Sequence, residues 1–483
     1  MIKFGTGGFR GVIGDDFTRE NVQTVAQALC AVMKEDGSAK PVVIGYDNRF
    51  MSDYFAAWMA EVFAANGVKT FLYAKPVPSP VVMCATRDMD SDYGVMLTAS
   101  HNPYVFNGVK LFMKGGCDAD VELTDRLEKK IAETKRIKSM PVAQARAKKY
   151  VFDFSNIDTY IAHIVSFIDP KIHDNHAKIL YDNMCGVGVV GLGRLAEFYN
   201  IERFDMIHTN HDAFFNFDLP NPTEETLEPL KRRVVREGYD YAMATDSDGD
   251  RLGIIDDKGN YVDNNDILAM LYYYLVKYRG KKGDVVKNCA TSVLVDKMAE
   301  KLGFKCHETD VGFKNISAKM RETDALIGGE SSGGLTCRGY LFGKDSAFSA
   351  SLFMEMQIVM DKPVSEIVRE AREFAGYAGA VVEKAVPLAD GGATNAYLLA
   401  KKPDFGRKLV DFRHFGRNFK YYFEGGAWAL YRFSGTEPML RLFVEAESAE
   451  EAERLTKILT SFVRGRDTYE YERNDKIAVS ARR

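Results

Sequence analysis

Short apolar runs alternate with helical patterns along most of this chain, and that alternation restricts it to few architectures. Residues 41–47 read as a buried strand ending in a polar loop, 52–66 as a helix and 68–73 as the next strand. Residues 93–97 form another strand running directly into Thr98. Strand–helix repetition of this kind implies α/β units with largely parallel pairing. The pattern then restarts twice. Strands at 178–182 and 241–245 surround a Gly-rich stretch, 186–193, and a helix to about Tyr199. Strands at 284–288 and 325–327 surround a helix at 292–302. In such sheets ligands gather where loops leave the carboxyl ends of strands. Ser100, Asp246 and Gly328 all follow predicted strands.

The last section differs. Two strands, 428–433 and 439–445, flank a Ser-Gly-Thr turn, and a helix at 448–464 sets Ala452, Leu455, Ile458, Leu459 and Phe462 on one face. This predicts a smaller α+β domain. Charged stretches at 129–149 and 361–373 read as connections. The 483 residues fit three or four domains at about 100–200 residues each.

Composition excludes several classes. A net charge of −4 argues against a broad basic surface for nucleic acid. No apolar run is long enough to span a bilayer, and the first residues lack a signal-peptide pattern. A soluble, cytoplasmic protein is expected. Seven scattered cysteines contain no Cys-x-x-Cys pair, so their spacing offers neither a disulfide framework nor a zinc site.

Chemistry concentrates in a few segments. Ser100 lies in Thr98-Ala99-Ser100-His101-Asn102-Pro103. A serine hydroxyl is a poor nucleophile without a base or a polarising environment. His101 adjoins it, but adjacent side chains on an extended segment point apart. Alone, the serine reads better as the start of a turn before Pro103. Asp246, Asp248 and Asp250 alternate in Asp-Ser-Asp-Gly-Asp-Arg251, so an extended loop would turn all three to one side, suited to a hard cation such as Mg²⁺. The bland alternative is a solvated Asp-Gly turn. An EF-hand loop fails at Arg251, where its turn glycine belongs, and at Asp257, where its closing Glu belongs.

Further segments hold polar groups between apolar flanks: 5–11 with Arg10, 45–49, 328–334 with Glu330 and Ser332, and 432–438 with Arg441 beyond. The last offers hydroxyls, backbone N–H groups and guanidinium, a phosphate cradle without a P-loop. Each alone is compatible with an ordinary turn.

Together, the ordered series Phe-Gly-Thr-Gly-Gly-Phe-Arg-Gly, Thr-Ala-Ser-His-Asn-Pro, Asp-Ser-Asp-Gly-Asp-Arg, Gly-Gly-Glu-Ser-Ser-Gly-Gly and Arg-Phe-Ser-Gly-Thr-Glu-Pro resembles the α-D-phosphohexomutase family, from Phe4 to Arg441. The resemblance implies four domains around a central cleft. Three would be related α/β domains with mixed, mostly parallel sheets, followed by the smaller C-terminal α+β domain. The expected division is 1–152 for phosphoserine, 153–257 for metal, 258–374 for sugar and 375–483 for phosphate. Ser100 would carry the phosphoryl group and, with Asp246, Asp248 and Asp250, hold Mg²⁺. Lys110, in Asn107-Gly108-Val109-Lys110, would be the general acid/base; His101 joins it and Arg10 in the catalytic set, with Arg10 on the serine phosphate. Glu330 and Ser332 would bind sugar hydroxyls, with Lys314 reaching the substrate and Arg251 beside the metal. Arg432, Ser434, Gly435, Thr436 and Arg441 would hold the non-reacting phosphate. The implied reaction interconverts hexose 1- and 6-phosphates through a bound hexose 1,6-bisphosphate that turns around in the cleft. The expected partners are small hexose phosphates, with no nucleic acid or membrane; the sequence sets no oligomeric state.

The doubled glycine Gly333-Gly334 resembles phosphoglucomutase-type loops, which favours glucose, with a phosphomannomutase or dual-specificity enzyme as the alternative and a non-catalytic sugar-phosphate binder behind both. Ser331 stands where many glucose-type members carry a second Glu, and Ser247 replaces the more usual Pro or Gly.

Overall fold

The computed structural model describes residues 2–5, 8–388, 391–434 and 439–464. Four sheets follow one another along the chain. The first contains β1 (Phe9–Val12), β2 (Val42–Tyr46), β3 (Thr70–Tyr73), β4 (Tyr93–Leu97), β5 (Phe106–Met113), β6 (Cys117–Asp118) and β7 (Val151–Phe154). Its order is β1-β5-β4-β2-β3-β7, with β6 beside β5. Strands β2, β3, β4 and β7 pair in parallel, whereas β5 runs antiparallel to β4 and β1.

The second sheet contains β8 (Ile179–Asp182), β9 (Phe204–Ile207), β10 (Tyr241–Thr245), β11 (Leu252–Ile255) and β12 (Tyr261–Val262), in the order β12-β11-β10-β8-β9. The third contains β13 (Val285–Asn288), β14 (Cys306–Thr309), β15 (Ile327–Gly329) and β16 (Leu335–Cys337), in the order β14-β13-β15-β16. Each has a parallel core closed by an antiparallel hairpin. The fourth sheet is wholly antiparallel: β17 (Ala380–Pro387), β18 (Leu409–Phe415), β19 (Asn418–Phe423), β20 (Trp428–Phe433) and β21 (Met439–Ala446). The expected class, three α/β domains with mixed sheets and a smaller C-terminal domain, is the observed one. The first sheet's last strand straddles the expected 152/153 division, and the second sheet continues past 257 to Val262.

Helices cover the sheets for ordinary reasons. Thr18 caps the helix Arg19–Glu35 by accepting from Asn21 N–H at 3.2 Å, and Val22, Val25, Ala26, Leu29, Val32 and Met33 form its buried stripe. The charged stretch 361–373 corrects the sequence reading. It is no simple connection, because most of it lies in the helix Val364–Ala375, whose buried Val364, Ile367, Ala371 and Ala375 recur at helical spacing beneath its charges. Part of 129–149 is likewise helical, in Val121–Glu133 and Val142–Ala147.

The last sheet is fixed to the third by buried polar contacts. Glu445 accepts from Ser292 Oγ at 2.6 Å, Val293 N–H at 2.9 Å and Tyr377 Oη at 2.6 Å. Lys420 meets Glu308 at 2.5 Å, and Asn418 donates to Asp310 at 2.7 Å. These contacts set where Arg432, on β20, stands relative to Glu330.

Candidate active site

Three of the motif loops each join two adjacent antiparallel strands. Residues 98–105 join β4 to β5, and 246–251 join β10 to β11, with Thr245 opposite Leu252. Residues 330–334 join β15 to β16, with Gly329 opposite Leu335. The antiparallel step turns each motif back at the carboxyl end of its strand.

Ser100 is buried and left-handed, with φ +50°. For a non-glycine residue this costs of order 1–3 kcal/mol, so surrounding contacts must hold it. Arg49 does so. Its guanidinium donates to four carbonyls of the loop: those of Ser100, Asn102 at 2.6 Å, Pro103 at 2.9 Å and Phe106 at 3.0 Å. Asp47 pairs with Arg49 at 3.4 Å and accepts from Thr98 Oγ1 at 2.6 Å. Ser247 Oγ lies 2.6 Å from the Ser100 carbonyl, tying the two loops together. Ser247 is one of the residues by which this chain departs from the resembled pattern.

The hairpin 246–251 turns at Gly249, with φ +67°, and is a turn rather than the extended loop expected. Asp246 organises it: Oδ1 accepts from Asp250 N–H and Arg251 N–H, each at 3.0 Å. Its Oδ2 accepts from Ser100 Oγ at 2.8 Å. Carboxylate oxygens of Asp246, Asp248 and Asp250 lie within 4.8 Å of one another, and all three residues are buried. Burial and the two neighbouring carboxylates push Asp246 up to about 8.

Sheet register delivers the cations. On β5, Lys110 stands opposite Met96 and Gly108 opposite Arg10. A side chain at Gly108 would lie 2.5 Å from the Thr98 carbonyl, so the close approach requires glycine. Lys110 Nζ reaches Asp248, and Asp250 Oδ2 at 2.7 Å. Burial opposes the charged ammonium, but Asp248 and Asp250 outweigh it and raise the Lys110 pKa. Burial likewise opposes ionised Asp250, yet Lys110, Lys344 and Arg251 hold it far below the usual carboxylate range. Arg10 donates to Asn102 and is lowered to about 10 by burial and by Arg251. His101 makes no hydrogen bond with Ser100 among the described residues, and its buried Nδ1 has no partner. Burial and the charges of Arg251, Arg10 and Lys344 hold its imidazole well below its ordinary pKa, hence neutral.

Two further groups surround this centre. Glu330 accepts from Asn288 Nδ2 and Gly312 N–H, each at 3.0 Å, and Ser332 Oγ lies 3.5 Å from its other oxygen. Lys314 sits in the first turn of the helix Phe313–Thr323 that follows Gly312. Arg432 and Arg441 face each other across β20 and β21. Burial lowers the Arg432 pKa, while the charge of Glu330 raises it. Ser434 N–H donates to the Met439 carbonyl at 3.0 Å. Gly435 and Thr436 lie outside the described residues.

Sequence reasoning missed Lys344. Its Nζ is 3.1 Å from Asp250 Oδ2, and its stem fills the space that a side chain at Gly334 would take, 2.1 Å from a Cβ there. It also left Arg49 and Asp47 without a role, and it passed over Asp118, which burial raises while Lys344 and Lys110 pull it down. The polar run ending the strand at 45–49 was the available signal for the first pair.

A hard divalent cation fits the acidic cluster. Asp248 Oδ1 and Asp250 Oδ1 are buried oxygens without a hydrogen-bond partner, and the donor set is all oxygen.

Comparison with known proteins gives a consistent pattern. Residues 1–138, 158–259 and 263–374 match the phosphoglucomutase/phosphomannomutase α/β/α domains I, II and III, and 383–460 match the C-terminal domain. A phosphoglucomutase/phosphomannomutase of Thermococcus kodakarensis is 27% identical over 462 residues, spanning 93% of this chain and 95% of the relative. A phosphoglucosamine mutase of Finegoldia magna is 27% identical over 458 residues, spanning 93% and 96%. A Thermus thermophilus structure assigned to the phosphomannomutases has 28% identity and a TM-score of 0.83, over 96% of this chain and 99% of that one.

Proposed function

Because this chain belongs to the α-D-phosphohexomutase family of phosphoglucomutase/phosphomannomutase enzymes, we propose that it interconverts glucose 1-phosphate and glucose 6-phosphate through a phosphoserine at Ser100. The observation carrying this reading is the Ser100 hydroxyl on Asp246, inside the three-aspartate cluster and beside Lys110. Asp246, Asp248, Asp250 and the Ser100 phosphate would hold Mg²⁺. When bound, that ion supplies positive charge against the transferring phosphoryl group.

The protein's own groups do the rest. The phosphoryl group passes from Ser100 Oγ to the free sugar hydroxyl; the P–Oγ bond breaks as the new P–O bond forms. Lys110, held as its ammonium by Asp248 and Asp250, gives a proton to Ser100 Oγ and takes the one that the sugar hydroxyl loses. Arg10 and Arg251, crowded beside the cluster, offset phosphate charge. His101, neutral and buried among Arg10, Arg251 and Lys344, contributes a polar edge and no charge. Glu330 and Ser332 hold sugar hydroxyls in either orientation of the hexose 1,6-bisphosphate. Lys314 reaches the substrate, and Arg432, Ser434, Gly435, Thr436 and Arg441 would hold the phosphate that is not reacting. The free cysteines fit a cytoplasmic enzyme.

Glucose rests on Gly334, whose open side leaves room beside the sugar loop for Lys344. Glucosamine is the second reading, favoured by the relative from Finegoldia magna. Turnover of glucose, mannose and glucosamine 1-phosphates, each with Mg²⁺ and a trace of its bisphosphate, tests the choice. Glucose should lead in kcat/KM, and a clear preference for either other sugar overturns it.

A further inference from the structure

One helix serves the acidic cluster at its first residue and gathers a different set of ligands at its last turn. Ser79 opens the helix Ser79–Asp88, donating Oγ to Asp248 Oδ2 at 2.5 Å and N–H to the Asp248 carbonyl at 2.9 Å. Cys84 and Asp88 lie four residues apart, on one face of the same helix. His163 comes from the helix Ile157–Val165. Its Nε2 is 3.0 Å from Asp88 Oδ2, and Cys84 Sγ is 3.2 Å from that same oxygen. All three ligand atoms lie within 4.8 Å of one another.

We propose that Cys84, Asp88 and His163 form a binding site for zinc, or a similar borderline-soft divalent cation, distinct from the three-aspartate cluster. Sulfur, imidazole and carboxylate are the donors zinc takes. With zinc bonds of about 2.0–2.3 Å, a tetrahedral arrangement separates its ligand atoms by roughly 3.3–3.7 Å. The two spacings to Asp88 Oδ2, 3.0 and 3.2 Å, need to open by only a few tenths of an ångström, and the sulfur and the ring nitrogen lie within 4.8 Å of each other. Arg87 Nε occupies the other carboxylate oxygen, Asp88 Oδ1, at 2.8 Å and leaves Oδ2 turned toward the sulfur and the ring. Cys84 is a thiol that donates to Asp88, and burial and Asp88 push it up, so zinc would displace its proton on binding; Arg87 Nη2, 3.6 Å from the sulfur, would then balance part of the thiolate and carboxylate charge. Cys84 is buried, whereas the His163 side chain is 38% exposed and gives the ion its way in. Three protein ligands leave a fourth position for water. Magnesium, which prefers oxygen, has no reason to choose this sulfur-containing set, so the two sites sort their ions by ligand chemistry. An ion here would link the helix holding Asp248 to the helix that leads out of the first sheet.

The test titrates the full chain, saturated with Mg²⁺, with Co²⁺ as a coloured stand-in for zinc. A thiolate-to-cobalt charge-transfer band should saturate near one equivalent and disappear on adding zinc. The three-aspartate cluster has no sulfur and cannot produce this band. Cys84→Ser should abolish it, and Cys306→Ser should leave it unchanged. His163→Ala, at an exposed position compatible with folding, should weaken zinc binding by more than the roughly tenfold typical of losing an outer partner. Absence of the band overturns the site, as does a band that survives His163→Ala unweakened, even should Cys84→Ser fail to fold.

Discussion

Ser100 Oγ donates to Asp246 Oδ2 at 2.8 Å across 146 residues of chain, joining a loop of the first sheet to a loop of the second. The same carboxylate folds its own hairpin through its other oxygen. Carrier hydroxyl and metal cluster are therefore one unit, and either loop moved alone would undo it.

Removing the carrier tests that unit first. Ser100→Ala should fold normally but lose at least about a thousandfold in kcat, because a residual rate without the nucleophile comes only from binding. A coupled assay for glucose 6-phosphate measures this. Intact mass should show no phosphate adduct in the variant, and an adduct that persists would place the carrier elsewhere.

Arg49 offers a stability test. Arg49→Met strands the buried Asp47 carboxylate, which burial already raises, and frees four loop carbonyls. Removing one partner of a buried pair costs about 3–5 kcal/mol. Urea denaturation should show a loss of that size, and Arg49→Lys should rescue little, since an ammonium lacks the planar fork that spans the loop. A loss below about 1 kcal/mol would contradict the role.

Gly334→Ala tests the packing of Lys344. The added Cβ would lie 2.1 Å from the lysine stem, so the stem must move and its amine leaves Asp250. We expect kcat/KM to fall about tenfold, roughly 1.4 kcal/mol of transition-state stabilisation, with the thermal midpoint nearly unchanged. Wild-type kinetics in the variant would show that Lys344 plays no part.

Much of this arrangement was legible in the residues themselves. Strands 93–97, 241–245 and 428–433 have the expected bounds, because each is a short apolar run closed by a polar motif. The strand expected at 325–327 begins at Ile327 and continues through Gly328 and Gly329, whose glycines hide a strand signal while allowing close packing against Ile316, Met320 and Leu268. Lys344 was invisible for a different reason: its place follows from the room left by Gly334, ten residues earlier. The polar run 45–49 marked Arg49 and Asp47 as a strand-end pair, but an arginine there carries no pattern saying which carbonyls it will meet. The helix Val364–Ala375 hid beneath its charges, its apolar stripe being only Val364, Ile367, Ala371 and Ala375.

Asp345 predicts a pH dependence. It caps the helix Ser346–Met360 and accepts from Tyr160 Oη at 2.9 Å and Tyr340 Oη at 2.7 Å, yet burial raises it to about 6. A carboxyl raised on folding binds more protons in the native state, so its contribution is fully present below about pH 4 and lost as pH rises through about 6. Relative to Asp345→Asn, the wild type should therefore lose stability between those values, by about 3 kcal/mol at most. Parallel stability profiles from urea titrations at several pH values would contradict this.

The most direct test of the central claim follows the phosphoryl group itself. Incubation with glucose 1,6-bisphosphate labelled in its phosphates, with Mg²⁺, should place the label on Ser100, as read by peptide mass analysis. Unlabelled glucose 1-phosphate added next should remove it and yield labelled glucose 1,6-bisphosphate or glucose 6-phosphate. Label that never reaches Ser100, or that stays there while hexose phosphates interconvert, would contradict the phosphoserine account.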